Sequence, residues 1–180
     1  MSPAPATASL VASFLLFKNM LTRFSKIALV GASAFFLLLV VFNNLTDYGS
    51  NFEFVKHVLS MDTTFPGNAG MYRAVRAPLA HKVFYATIIA WEGLCCALVG
   101  AGTLKLWKAR RVSTPDWRAS KGLASVGLTA GMVLWYFGFT SVGGEWFLMW
   151  QSRIWNGKDT AFSLFVIMGL SLLLLNQADE

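Results

Sequence analysis

Residues 27–45 read IALVGASAFFLLLVVFNNL, nineteen positions without a charged side chain. A helix of that length rises about 28 Å at roughly 1.5 Å per residue, close to the ~30 Å hydrocarbon core of a bilayer. Three further runs share the pattern. Val83–Leu104 is interrupted by Glu92, Gly122–Val142 carries no charge, and Thr160–Leu175 is extended by Asn176 and Gln177. The last run, over 160–177, is the shortest and predicts a helix standing nearly upright. Just 13% of the 180 residues are charged, against about 25% in an average soluble domain, and the deficit is concentrated in these four runs. Four helices apolar all round would leave a soluble protein without enough polar surface to cover them. The chain therefore reads as all-α, an integral membrane four-helix bundle forming one domain over 27–177, with no length for a separate soluble module.

The formal net charge is +6. The basic residues lie between the apolar runs, where positive charge sets orientation, and nucleic-acid binding is not indicated. Segment 105–121 holds Lys105, Lys108, Arg110, Arg111, Arg118 and Lys121 against Asp116, and the N-terminal segment adds Lys18, Arg23 and Lys26. The opposite loops hold Lys56, Arg73, Arg76 and Lys82, then Arg153 and Lys158. Density in the short 105–121 segment decides, so this segment, the N-terminus and the tail 178–180 are expected to be cytoplasmic. Loops 46–82 and 143–159 then face outward. Residues 1–17 carry no charge, so the basic-then-apolar order of a secretory signal is not met. Within residues 1–26, Leu10, Phe14, Phe17, Leu21 and Phe24 recur at helical spacing. They predict an amphipathic segment in the cytoplasmic interface. The alternative is that it continues the first span as one long helix or packs on a partner.

Both outer loops are expected to be structured. In the first, Asn51 is placed to cap a short helix over Phe52–Leu59, Asp62 to cap or form an Asx turn, and Pro66-Gly67 to turn the chain. In the second, Trp146, Trp150 and Phe147 fall on one face of a short helix or re-entrant segment in the interface, where indole rings are favoured. Asn156-Gly157 would end it, and Asp159 would cap the fourth span. Trp146, Trp150, Arg153 and Trp155 are the docking candidates, since Trp and Arg are enriched at interface hot spots.

Glu92 is the acid inside a span. A carboxyl there must face the bundle interior. No basic residue lies within a neighbouring run, so its partner must be neutral, with Ser33, Thr129, Trp135 and Tyr136 as candidates. His57 and His81 both fall at the outer side, and are weak candidates for haem or quinone binding. Cys95 and Cys96 are adjacent, which disfavours pairing with each other, and they lack zinc-ligand spacing. No catalytic constellation or metal site is visible. Gly93, Ala97 and Ala101 in the second span, and Gly127 and Gly131 in the third, are spaced to let those two helices pack closely.

The strings Asn51-Phe52-Glu53-Phe54-Val55-Lys56-His57-Val58-Leu59-Ser60-Met61-Asp62-Thr63-Thr64-Phe65 and Gly143-Gly144-Glu145-Trp146-Phe147-Leu148-Met149-Trp150-Gln151-Ser152, followed by Trp155-Asn156-Gly157, resemble a bacterial family of predicted small integral membrane proteins without an assigned function. The likeness runs from about Lys18 to the end of the chain. It implies a bacterial inner membrane and the same four spans, and brings no activity or cofactor with it.

Without a catalytic set, and with aromatic outer loops suited to docking, the chain is expected to be a non-enzymatic accessory subunit of a larger inner-membrane complex, respiratory or photosynthetic. Its partners would be other integral membrane subunits and bound lipids. The alternatives are a small transporter or sensor using Glu92, and a redox subunit holding haem or quinone near His57 and His81.

Overall fold

The structure is a computed structural model that describes residues 5–179, with the side chains of Leu10, Ser13 and then Phe17 onward. Among these residues it has six α-helices and no strand. Helix α1 spans Pro5–Thr46, α2 Tyr48–Ser60, α3 Pro78–Ala109, α4 Thr114–Ser120, α5 Gly122–Val133 and α6 Lys158–Asn176. Four helical stretches are long and apolar enough to cross a membrane: 17–46, 78–109, 114–146 and 158–176. The all-α four-span bundle expected from the sequence is what the chain forms.

The spans alternate in direction and form a ring, with α1 against α3, α3 against α5, α5 against α6 and α6 back against α1. In lipid, burial from water does not drive helices together, so close backbone approach and interhelical hydrogen bonds must. A Cβ at Gly127 would stand 2.7 Å from Val99 Cγ2 and 2.8 Å from Val99 N, and one at Gly102 would stand 2.5 Å from Ala124 N. Those two glycines bring α3 and α5 together. Gly131 abuts Met168 on α6 rather than α3. The stripe Gly93, Ala97, Ala101 does not make the expected contact. Ala97 and Ala101 are exposed, and nothing lies within 4 Å of a Cβ built at Gly93. The inward face of α3 is instead Glu92, Cys95, Val99, Gly102 and Leu106.

Among the described residues of the expected interfacial segment 1–26, the chain runs on into the first span as one long helix, the alternative reading. From Pro5 the chain is already in α1, a single helix of 42 residues, roughly 63 Å long. Nothing in its interior breaks it, because Gly31 is its one glycine and no proline follows Pro5. Leu10, Phe17, Leu21 and Phe24 are exposed along it. The side chain of Phe14 lies outside the described residues.

Past Val133 the α5 helix does not stop but widens into a π-helix over Leu134–Trp146. The hydroxyls of Thr140 and Ser141 donate to the carbonyls five residues back, those of Trp135 and Tyr136, at 3.1 and 3.0 Å. That spacing suits a π-helix, whose ladder bonds skip five residues. Trp146 closes this segment, while Trp150 belongs to a separate 3₁₀ turn over Met149–Gln151. The expected short helix with both tryptophans on one face therefore does not form.

Candidate functional site

The two ends of the bundle differ in how they are closed. At the end where α1 enters the bundle, called here the tail end, charged side chains are drawn inside. Lys26 Nζ lies 2.7 Å from Asp179 Oδ1, and Lys121 Nζ pairs with Asp179 Oδ2. Trp117 Nε1 donates to the same carboxylate at 2.9 Å, and Lys26 also donates to Gln177 O at 2.8 Å. All four side chains are buried. Burial pushes the Asp179 carboxyl up, yet the hydrogen bonds from Lys121, Lys26 and Trp117 together outweigh it and hold it below its ordinary value. Arg23 donates to Val112 O at 2.7 Å and Arg110 O at 3.2 Å, just past the end of α3, and its guanidinium lies over the Trp117 ring. A cation there complements the negative end of the helix. Residues 178–179 are thus folded onto the bundle rather than free as a tail.

The opposite, capped end is built from the two outer loops. Helix α2 follows Asp47, and Asn51 lies inside the helix rather than capping it, with its amide donating to Asp47 O at 3.2 Å. The chain leaves α2 through Met61 at φ 55° and turns at Pro66-Gly67, where Gly67 takes φ 75°. The second loop reverses at Leu148, φ 54°. Three contacts lock the loops together. Gln151 Oε1 accepts from Phe65 N at 3.1 Å and Asn68 Nδ2 at 3.3 Å, and Thr63 Oγ1 donates to Ser152 Oγ at 2.9 Å. Gly157, not Asp159, precedes α6 at its N-cap.

The histidines serve this cap. His57 stacks on Trp155 at 4.8 Å and its Nδ1 lies 2.8 Å from Asp62, while His81 Nε2 is 2.7 Å from Val75 O. One ring nitrogen of each imidazole is thus engaged within the cap, Nδ1 of His57 and Nε2 of His81. Trp155 is half-buried against His57 and Phe54, whereas Trp146, Trp150, Arg153 and Ile154 are exposed. Among the described residues no group of three or more His, Cys, Asp or Glu is placed to hold a metal.

Glu92 faces the bundle interior and is 1% exposed. Its partner is neutral, as expected, but is Asn44 at the end of the first run, whose amide donates to Oε2 at 2.6 Å. Tyr85 closes the group by donating to Asn44 O at 3.1 Å. The candidates proposed from sequence lie elsewhere. Ser33 bonds to Ser171, Thr129 and Tyr136 are exposed, and Trp135 Nε1 is buried with no hydrogen-bond partner among the described residues.

Beside this polar group lies an apolar crevice of about 360 Å³. Ile88 and Trp91 of α3 form one wall, Phe137 and Gly138 of the π-helix the other, and Val55 and Leu59 of α2 roof it. Thr87 also borders the crevice, but its hydroxyl is already bonded to Val83 O at 2.9 Å. The crevice was not anticipated from the sequence, because it exists where the π-helix departs from α-helical packing.

Residues 22–178 match the family described as predicted small integral membrane protein (DUF2165). The chain belongs to this family. The match takes in all four spans, both loops of the cap, Glu92 and the crevice, and the family description gives no activity. Neither the curated proteins nor the solved structures gave a match.

Proposed function

We propose that this member of the family is a non-enzymatic accessory subunit of a larger membrane assembly. It would lie in the bacterial inner membrane with both ends cytoplasmic. The observation that carries the reading is a stripe of small residues on the outward face of α3. Ala86, Ala90, Ala97 and Ala101 are exposed in register with Gly93. Such a stripe lets another helix approach closely, and in lipid that is how helices associate. The exposed Trp146, Trp150 and Ile154 at the cap extend the available surface. Orientation rests on Lys105, Lys108 and Arg111 standing exposed at the tail end.

A photo-crosslinking residue at the exposed position 94, and another at 150, tests this in native membranes. A discrete adduct with a different polypeptide, lost from the Ala97→Leu variant, is the expected result. Adducts with lipid alone, or with a second copy of this chain alone, would overturn it. A second reading, proton or ligand handling at Glu92, is favoured by the cost of keeping a carboxyl within a span. In that case Glu92→Gln should abolish an activity that the crosslinking variants leave intact.

A further inference from the structure

The crevice opens sideways. Val83, Phe84 and Phe137 border it and are exposed on the lipid-facing surface. Toward the cap it runs into a second recess, lined by Ser141, Glu145 and Trp146, with which it shares Phe84, Val142 and Phe147. The two join into one open channel, largely apolar throughout, with Ser141 and Glu145 at its outer edge.

The mouth carries excess positive charge. The Arg73 guanidinium lies 5.2 Å from the Trp146 ring centroid and donates to Trp146 O at 3.3 Å. Lys158 stands 2.5 Å from Glu145. Exposed Lys82 precedes the wall residue Val83, and exposed Arg76 follows Val75, which is tied to Leu59 of the roof at 2.8 Å. At the mouth itself, Arg73 and Lys158 against Glu145 leave one positive charge in excess (two minus one).

We propose that this channel holds one anionic phospholipid of the leaflet at the capped end, with a hydrocarbon chain in the crevice and the phosphate at the Arg73 mouth. The size of the crevice falls at the lower end of the roughly 300–1,000 Å³ typical of small-molecule sites. A helix with its side chains is about 10–12 Å across and does not fit. A neutral isoprenoid would satisfy the crevice but leave the cations without a counter-charge, whereas a phosphate pairs with arginine through charge-assisted hydrogen bonds. The proposal goes beyond the accessory-subunit reading and does not depend on it.

The test uses the full chain in nanodiscs of equimolar phosphatidylglycerol and phosphatidylcholine, stripped stepwise with detergent and read by native mass spectrometry. One phosphatidylglycerol per chain should persist after bulk lipid has gone. Arg73→Gln should cut its preference over phosphatidylcholine roughly tenfold, the ratio that about 1.4 kcal/mol represents. Gly138→Leu should remove retained lipid of both kinds by filling the crevice. A Cβ at Gly138 meets only Leu134 Cδ1 at 3.5 Å, so the backbone has room for a side chain. Val83→Trp, at an exposed wall position, repeats the block should Gly138→Leu fail to fold, as judged by circular dichroism. No retained lipid, retention indifferent to both blocking variants, or retention of a phosphorus-free isoprenoid from native membranes would each overturn the proposal.

Discussion

At the tail end, helices α1, α4, α5 and α6 meet through charge drawn into the protein, with Lys26 and Lys121 sharing the buried Asp179 carboxylate. At the capped end, α2 and the two loops meet through neutral hydrogen bonds and stacked rings, and charge stays at the rim. The first arrangement is stiff because removing Asp179 strands two ammonium groups out of water. The second consists of bonds each worth about 1 kcal/mol, laid over an apolar crevice that is open to lipid. A bundle closed firmly at one end and adaptably at the other can accept a ligand or partner at the adaptable end without losing its fold.

The largest effect should come from breaking the firm end. Asp179→Ala leaves two buried ammonium groups unpaired and is expected to cost about 3–5 kcal/mol, read as a fall in Tm in detergent. Lys26→Met, Lys121→Met and Asp179→Leu made together should recover most of it, since apolar replacement of a buried ionic group is often neutral. pH probes the same contact. The folded Asp179 carboxyl lies below its ordinary 3.8. Its stabilisation is therefore complete at neutral pH and is lost as pH falls through 3.8 toward the lower folded value. A Tm that drops over that acid range in the wild type, and lacks that step in Asp179→Ala, is the expected pattern.

Legibility differed between the ends for physical reasons. The spans were readable because lipid demands uninterrupted apolar runs, and Glu92 stood out as the exception to that rule. Its partner Asn44 belongs to the polar pair Asn43-Asn44 at the end of the first run, which sequence alone does not separate from Ser33, Thr129, Trp135 and Tyr136 deeper in the spans. The Asp179 site pairs residues 153 and 58 positions apart, and nothing local marks such pairing. The small-residue pattern was ambiguous on α3, where stripes through 93, 97 and 101 and through 95, 99 and 102 overlap. Packing chose the second because Val99 and Gly102 meet Gly127 and Ala124. The π-helix was hidden because Thr140 and Ser141 read as ordinary span residues until their hydroxyls reach five residues back.

Glu92 does not line the crevice, and replacing it asks whether the capped half depends on a buried polar contact as the tail end does. Glu92→Leu removes the acceptor of the Asn44 amide and leaves a buried donor unpaired, for an expected loss of about 1–3 kcal/mol. Glu92→Gln keeps an amide oxygen within reach of Asn44 and should lose less than about 1 kcal/mol, the net value of a typical hydrogen bond. Thermal unfolding of both variants in one detergent checks the ordering. If Glu92→Gln proved the more damaging, the carboxylate itself would matter, and the contrast between a charged tail end and a neutral cap would fail.

The smallest effect should come from Gln151, one of the side chains that join the two loops of the cap. Gln151→Ala deletes the acceptor shared by Phe65 N and Asn68 Nδ2. Both donors lie near the surface, so water replaces the lost acceptor and the cost in global stability should stay near 1 kcal/mol or below. The local consequence is larger than the global one, because those bonds hold residues 62–70 against the second loop. Hydrogen exchange should accelerate in 62–70 and 148–152 while amides in α3 and α5 keep their protection, since local opening need not involve the core helices. Faster exchange spreading into 134–146 would mean that the cap also holds the π-helix in place. The crevice would then be a property of the loops as much as of the spans.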